Sequence, residues 1–298
     1  MQRVLSTYLF VRRKLTPGLL AEVARAGIPA IELFGSRPHF DYRSPQEALE
    51  LAGALETNRL TVHAMHAPTD RDSNAARESG TPISISDPER IRRLDAVDEI
   101  KRAVDLVEQI PFRILVQHVA SSRQRMEARH WDAAFNSLEH LMLFAKQRGV
   151  TIALENTPGS EATPEALRKF IAETRLHDLR LCFDTGHAHM EDGVPKSFEL
   201  MRDLVITTHV HDNHGDKDEH LLPYEGTIDW EAALKILPAS LPVVLELKEP
   251  PAQELHADPT ALRAALEAAR GVLEKFERAR EKSQAARSAA SRGEMEAS

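Results

Sequence analysis

Residues 151–189 read TIALENTPGSEATPEALRKFIAETRLHDLRLCFDTGHAH. The apolar run Ile152-Ala-Leu154 and the run Leu181-Cys-Phe183 are each about five residues long with their flanks, too short for helices. They are apolar on successive positions, as expected of strands covered on both faces in a parallel sheet. Between them, Thr163-Pro164-Glu165 opens an amphipathic stretch: a capping threonine with proline at the first helical position. The stretch therefore reads strand, helix, strand, and each strand ends in an acid, Glu155 and Asp184.

The same alternation extends in both directions. Further strands are expected at Val4–Phe10, Ala30–Phe34, Leu60–Met65, Arg113–His118, Val205–Val210 and Pro242–Leu247, beside Thr151–Glu155 and Arg180–Asp184. The cap-proline device recurs at Thr16-Pro17, Ser44-Pro45 and Asp87-Pro88, and Gly27 and Gly149 stand where helices should stop. Eight strand–helix units in about 280 residues favour an α/β fold of one closed (β/α)8 TIM barrel over an open doubly wound sheet. The barrel is expected over residues 1–280. The tail 281–298, poor in large apolar residues, is expected to be a fraying helix or disordered and to carry no chemistry. Two insertions, Pro68–Ser86 and Asn213–Gly226, follow strand ends and so belong to the face where barrel active sites lie.

With 298 residues, 42% hydrophobic and 28% charged, the chain has the composition of a soluble globular protein. No run reaches the roughly 18 apolar residues of a membrane span. The basic cluster at Arg12-Arg13-Lys14 follows a short apolar run, the reverse of a secretory signal. The single cysteine, Cys182, excludes an internal disulfide, and its apolar flanks suggest a small buried side chain. A cytoplasmic location is the expectation. A net charge of −8 gives no bulk attraction to nucleic acid. The loop bearing Arg123, Arg125 and Arg129 is the best local basic patch, equally suited to a sugar phosphate or to solvation. Homo-oligomerisation is left open by the sequence. There is no P-loop or dinucleotide fingerprint.

The strand ends carry the functional signal. His66, His118, Glu155, Asp184, His209 and Glu246 close or directly follow the third to eighth strands. In a barrel these ends converge, bringing together residues 25 to 52 positions apart in sequence. Free carboxylates packed so closely would repel and take up protons, whereas a divalent cation keeps them ionised beside neutral imidazoles. Six of the 14 histidines fall between 187 and 220, adding His187, His211 and His220, with Asp218 among them. Singly, each residue has an ordinary structural reading: His118 a bonded core histidine, Asp184 a turn cap, Glu155 a turn acid. Six strands ending independently in ligand types is the less economical account. His66 is preferred to His63 as the third-strand ligand. Glu32, closing the second strand, either enters the cavity or forms a salt bridge. His39, His130, His140, His177 and His256 read as solvated.

The segments Leu154-Glu-Asn156, Phe183-Asp-Thr-Gly-His-Ala-His189, Thr208-His-Val-His-Asp-Asn213, Asp218–Trp230 and Leu245-Glu-Leu247 together resemble the xylose isomerase-like TIM-barrel superfamily. That superfamily contains sugar isomerases and epimerases as well as endonuclease IV-type enzymes, and the resemblance spans the chain from the first strand to Ala269. It implies that Glu155, Asp184, His209 and Glu246 ligate one divalent ion, Mn, Zn, Mg or Co. His187, His211 and Glu32 would then meet substrate. It further implies that His66, His118, His187, Asp218 and His220 match the extra ligands of a three-zinc centre, so one to three ions are expected.

The implied activity is sugar or sugar-phosphate isomerisation or epimerisation, with Glu155 and Glu246 exchanging a substrate proton through a metal-stabilised enediolate. The partner is then a small carbohydrate. The rival is an endonuclease IV-like phosphodiesterase acting on DNA, for which the charge and the absence of an aromatic stacking run give little support. A non-catalytic sensor would not need paired acids at those strand ends.

Overall fold

The computed structural model of the chain describes residues 1–71, 81–120, 125–159, 162–248 and 259–296. Eight parallel strands close on themselves: β1 (Arg3–Ser6), β2 (Ala30–Phe34), β3 (Thr61–His66), β4 (Ile114–His118), β5 (Thr151–Glu155), β6 (Arg180–Asp184), β7 (Val205–Val210) and β8 (Val243–Leu245). They pair in chain order, and β1 completes the ring against both β2 and β8. The connecting helices are α1 (Pro17–Arg25), α2 (Pro45–Asn58), α3 (Arg90–Asp105), α4 (Ala128–Lys146), α5 (Pro164–Thr174), α6 (Thr185–His189), α7 (Val194–Met201), α8 (Trp230–Ile236) and α9 (Pro259–Glu296). The expected (β/α)8 TIM barrel is the fold observed.

Three of the four cap-proline signals start helices as expected: Thr16, Ser44 and Thr163 accept from the amides of Leu19, Glu47 and Ala166, each at 3.3 Å. Such caps stabilise a helix by about 1 kcal/mol each. The fourth does not. Asp87 instead accepts from the Glu89 amide at 2.8 Å, closing a local turn, and α3 begins only at Arg90. Gly27 (φ 80°) and Gly149 (φ 70°) end α1 and α4 in the left-handed region. The first strand is shorter than expected. Ser6 caps a buried 3-10 turn, Thr7–Phe10, so the second half of that apolar run is helical.

Strand alternation produces two separate apolar layers. Leu5, Ile31, Leu33, Met65, Leu115, Ile152, Leu154, Leu181, Phe183, Val243 and Leu245 pack outward into the main core. The apolar groups inside the barrel form two small clusters, Ala64, Val116, Ala153 and Cys182 on one side and Val4, Ala30 and Val244 on the other. Because side chains repeat every two residues, the next inward position on each strand is His66, His118, Glu155, Asp184 and Glu246, one layer nearer the C-terminal mouth. The final helix buries Leu266, Ala269, Leu273 and Phe276, and Arg280 donates to the Leu241 carbonyl at 3.0 Å. The helical backbone continues through the tail to Glu296. No helix among the described residues is long and apolar enough to cross a membrane.

Candidate metal centre

His209, on β7, stands at the middle of the inward layer and is fully buried. Its Nε2 faces both carboxylate oxygens of Glu32 at 3.1 Å. On its other side Nδ1 lies 3.1 Å from Glu155 Oε2, 3.5 Å from Glu246 Oε2 and 4.0 Å from Asp184 Oδ2. A proton on Nε2 that donates to Glu32 leaves the Nδ1 lone pair directed at three carboxylates. This carboxylate–histidine pairing fixes ligand tautomers in metal sites.

The pattern repeats around the mouth. His66 Nδ1 is 2.8 Å from the Ala67 carbonyl, leaving Nε2 toward Glu155 at 3.5 Å. His187 Nδ1 is 2.9 Å from the Asn156 carbonyl, leaving Nε2 toward Asp218 at 3.4 Å. His220 Nδ1 is 2.8 Å from the Glu246 carbonyl, leaving Nε2 toward Asp218 at 3.1 Å. His118 Nε2 lies 3.1 Å from Glu155, and His211 Nε2 lies 3.1 Å from Asp184. Lone pairs facing carboxylates are repulsive unless positive charge lies between them.

Charge couplings point the same way. Burial works to raise the Glu155 and Asp184 carboxyls, yet His209 and His118 around Glu155, and His187 and His211 around Asp184, hold both below the usual carboxylate range. Burial disfavours charge on His209, but the surrounding acids push it well above its ordinary value. A divalent cation supplies the same positive charge with the imidazoles neutral. Three buried atoms in this layer, Glu155 Oε1, His209 Nδ1 and His211 Nδ1, lack a hydrogen-bond partner. Among the described residues, three ligand-type sets have atoms within 4.8 Å of one another: Glu155–Asp184–His209–Glu246, His66–Glu155–His209, and His187–His211–Asp218–His220. Carboxylate and imidazole donors at this spacing suit Mn, Mg, Co or Zn, so the residues fit a divalent ion.

All nine ligand positions expected from the sequence thus meet at one mouth. Two of the three residues expected to meet substrate, Glu32 and His211, have these surroundings. Glu32 is fully buried and lies behind His209, where it orients the ring. His211 is also fully buried and belongs with the ligand-type set around Asp218. His63, the less favoured histidine, sits lower in the barrel with Nε2 3.0 Å from Thr207 Oγ1. His39 and His130, expected in solvent, are buried: His39 Nδ1 contacts the Arg13 carbonyl at 2.6 Å, and His130 Nδ1 caps α4 by accepting from the Glu127 amide at 3.0 Å. His256 and Arg123 lie outside the described residues; Arg125 and Arg129 are exposed, and Arg129 pairs with Glu127 at 3.1 Å.

Asn156, quoted in the Leu154-Glu-Asn156 motif, has no role assigned by the sequence. Its side chain accepts from the Asp184 amide at 2.8 Å and donates to the Asp184 carbonyl at 3.0 Å, locking the end of β5 to that of β6. Its position directly after Glu155 was the available signal.

The fold and site define a TIM barrel with acids and imidazoles layered at its C-terminal mouth. Residues 20–272 match the xylose isomerase-like TIM barrel family, and the chain belongs to it. Among curated relatives, the uncharacterized protein y4fM of Sinorhizobium fredii is 25% identical over 197 residues, 61% of this chain. The chain spans 63% of that relative's length. Among solved structures, a D-tagatose 3-epimerase-like protein superposes with a TM-score of 0.75 at 21% identity, covering 95% of this chain and 99% of that one. D-psicose 3-epimerase with D-tagatose, from Clostridium cellulolyticum H10, gives 0.72 at 15% identity, covering 93% and 99%. The IOLI protein with a bound zinc atom gives 0.70 at 16%, covering 95% and 99%.

Proposed function

We propose that the protein is a divalent-metal-dependent sugar isomerase or epimerase that moves a proton at carbon. The observation that carries this reading is the pair Glu155 and Glu246. They come from β5 and from just past β8, and both present an oxygen to His209 Nδ1, at 3.1 and 3.5 Å. Glu155, Asp184, His209 and Glu246 would hold the ion; His66, His118, His187, His211, Asp218 and His220 offer positions for one or two more. When bound, the ion supplies a Lewis acid that acidifies the C–H beside a sugar carbonyl.

The chain's own groups do the rest. One of the two glutamates removes a proton from carbon and the other, protonated from solvent, delivers one. Return to the same carbon from the other face inverts the centre; delivery to the neighbouring carbon converts ketose to aldose. The folds shared with the D-tagatose 3-epimerase-like protein and D-psicose 3-epimerase support a sugar as the substrate class.

The test is deuterium uptake from solvent into a panel of ketoses and ketose phosphates by metal-loaded protein. Label at the carbon next to the carbonyl, lost in Glu246→Gln, is the expected result. A second reading rests on the sharing of Glu155 between two ligand sets: a multinuclear centre suited to activating water on a phosphodiester. Nicking of abasic DNA with no label in any sugar would favour it and overturn the first.

A further inference from the structure

Two of the ligand-type residues, Asp218 and His220, come from no strand. They sit in the 213–226 loop beyond β7, and that loop is held in an unfavourable backbone: His220 has φ 50° and Tyr224 φ 81°, the left-handed region that side chains other than glycine seldom occupy. Something must over-determine this shape, and one fully buried side chain does so. Asp212 Oδ1 accepts from the amides of Asn213 at 2.9 Å and Ile228 at 3.1 Å. Its Oδ2 accepts from the Tyr224 amide at 2.9 Å and from the Trp230 indole N–H at 2.7 Å.

The Asp212 backbone completes the clamp, with a two-way bridge to Leu221, the residue after His220, at 2.8 and 2.9 Å. Space is fitted to the carboxylate as well: a Cβ on Gly226 would fall 2.4 Å from Oδ1. The side-chain hydrogen bonds of Asp212 among the described residues go to three backbone amides and the Trp230 indole, and Asp212 follows His211 and stands three residues beyond His209. It therefore ties the loop to the strand that carries the centre.

We infer that Asp212 is the positioning residue that assembles the loop-borne half of the site, bringing Asp218 and His220 to His187 and His211. This inference rests on the metal reading only for its second readout. Asp212→Asn puts an NH2 group where two N–H donors now find an oxygen, so those donors lose their acceptor. Loss of charge-assisted bonds to buried amides predicts amide exchange in residues 213–228 about tenfold or more faster, while amides of β4 to β7 keep wild-type protection. Trp230→Phe removes one donor and keeps a ring against Phe276, now at 5.1 Å, so it gives a smaller effect of the same kind in a chain expected to fold even if the first variant does not.

In cobalt titration of the metal-free chain, Asp212→Asn should take up fewer equivalents than wild type, while the strand-borne set still binds. His220→Ala should lose the same equivalents with loop exchange unchanged, separating a ligand from a positioning residue. Wild-type loop exchange and cobalt stoichiometry in both Asp212→Asn and Trp230→Phe overturn the inference. Uniformly faster exchange over the barrel overturns it too, since that marks general destabilisation. If the wild type takes up no cobalt, the metal reading fails and the exchange result alone decides the role of Asp212.

Discussion

Replacing Glu32 by glutamine probes how the barrel sets the tautomer of His209. Both Glu32 oxygens lie 3.1 Å from Nε2, and neither residue is solvent-exposed, so no water can take over the contact. The carboxylate can only accept, which places the proton on Nε2 and leaves Nδ1 bare toward Glu155 and Glu246. A glutamine NH2 can instead donate to Nε2, and the ring proton then moves to Nδ1, where it occupies the position a cation needs. Loss of such an orienting carboxylate typically weakens metal binding 10- to 100-fold, about 1.4 to 2.7 kcal/mol. The assay is competition of metal-free Glu32→Gln and wild type against a chromogenic chelator for zinc or cobalt near neutral pH, with circular dichroism confirming an intact barrel. Affinities within about twofold of each other would refute the tautomer argument.

Two further outcomes follow from buried groups. Burial pushes the His39 imidazole down to about 4, whereas the unfolded chain protonates it near 6.5. Stability from this group is thus fully present above pH 6.5 and falls away between 6.5 and 4, by about 3 kcal/mol in all; denaturant midpoints across that range should show a flatter acid limb in His39→Gln, and identical limbs would contradict the assignment. Gly186→Ala would place a Cβ 1.9 Å from Cε1 of His211, so the ring must move off Asp184. A cost of about 1–3 kcal/mol in thermal stability and a loss of bound metal are expected, and an unshifted melting point with full metal content would show that the His211 ring is not confined.

How far the sequence speaks for the structure depends on whether the information is local. Ala30–Phe34, Thr151–Glu155, Arg180–Asp184 and Val205–Val210 have the bounds read from their apolar runs, because burial on both faces leaves a continuous signal. Val4–Phe10 differs in its second half, since a buried 3-10 turn and a buried strand share one composition. The gathering of acids and imidazoles at the mouth is legible because each strand-borne member closes or closely follows an element, and closure of the barrel brings them together.

What sequence could not carry was depth. Glu32 looks like its neighbours at strand ends, yet it lies behind His209 instead of at the mouth. His39 and His130 are buried by chain segments that no local pattern announces. Asp212 is one acid among several in its loop, and only the four N–H groups around it reveal its work.

Anomalous diffraction from crystals of the protein soaked in manganese or zinc, recorded on both sides of the metal's absorption edge, tests the central claim most directly. The account predicts a peak bounded by Glu155, Asp184, His209 and Glu246. No anomalous density there, with His209 doubly protonated and the three acids in separate salt bridges, would contradict it.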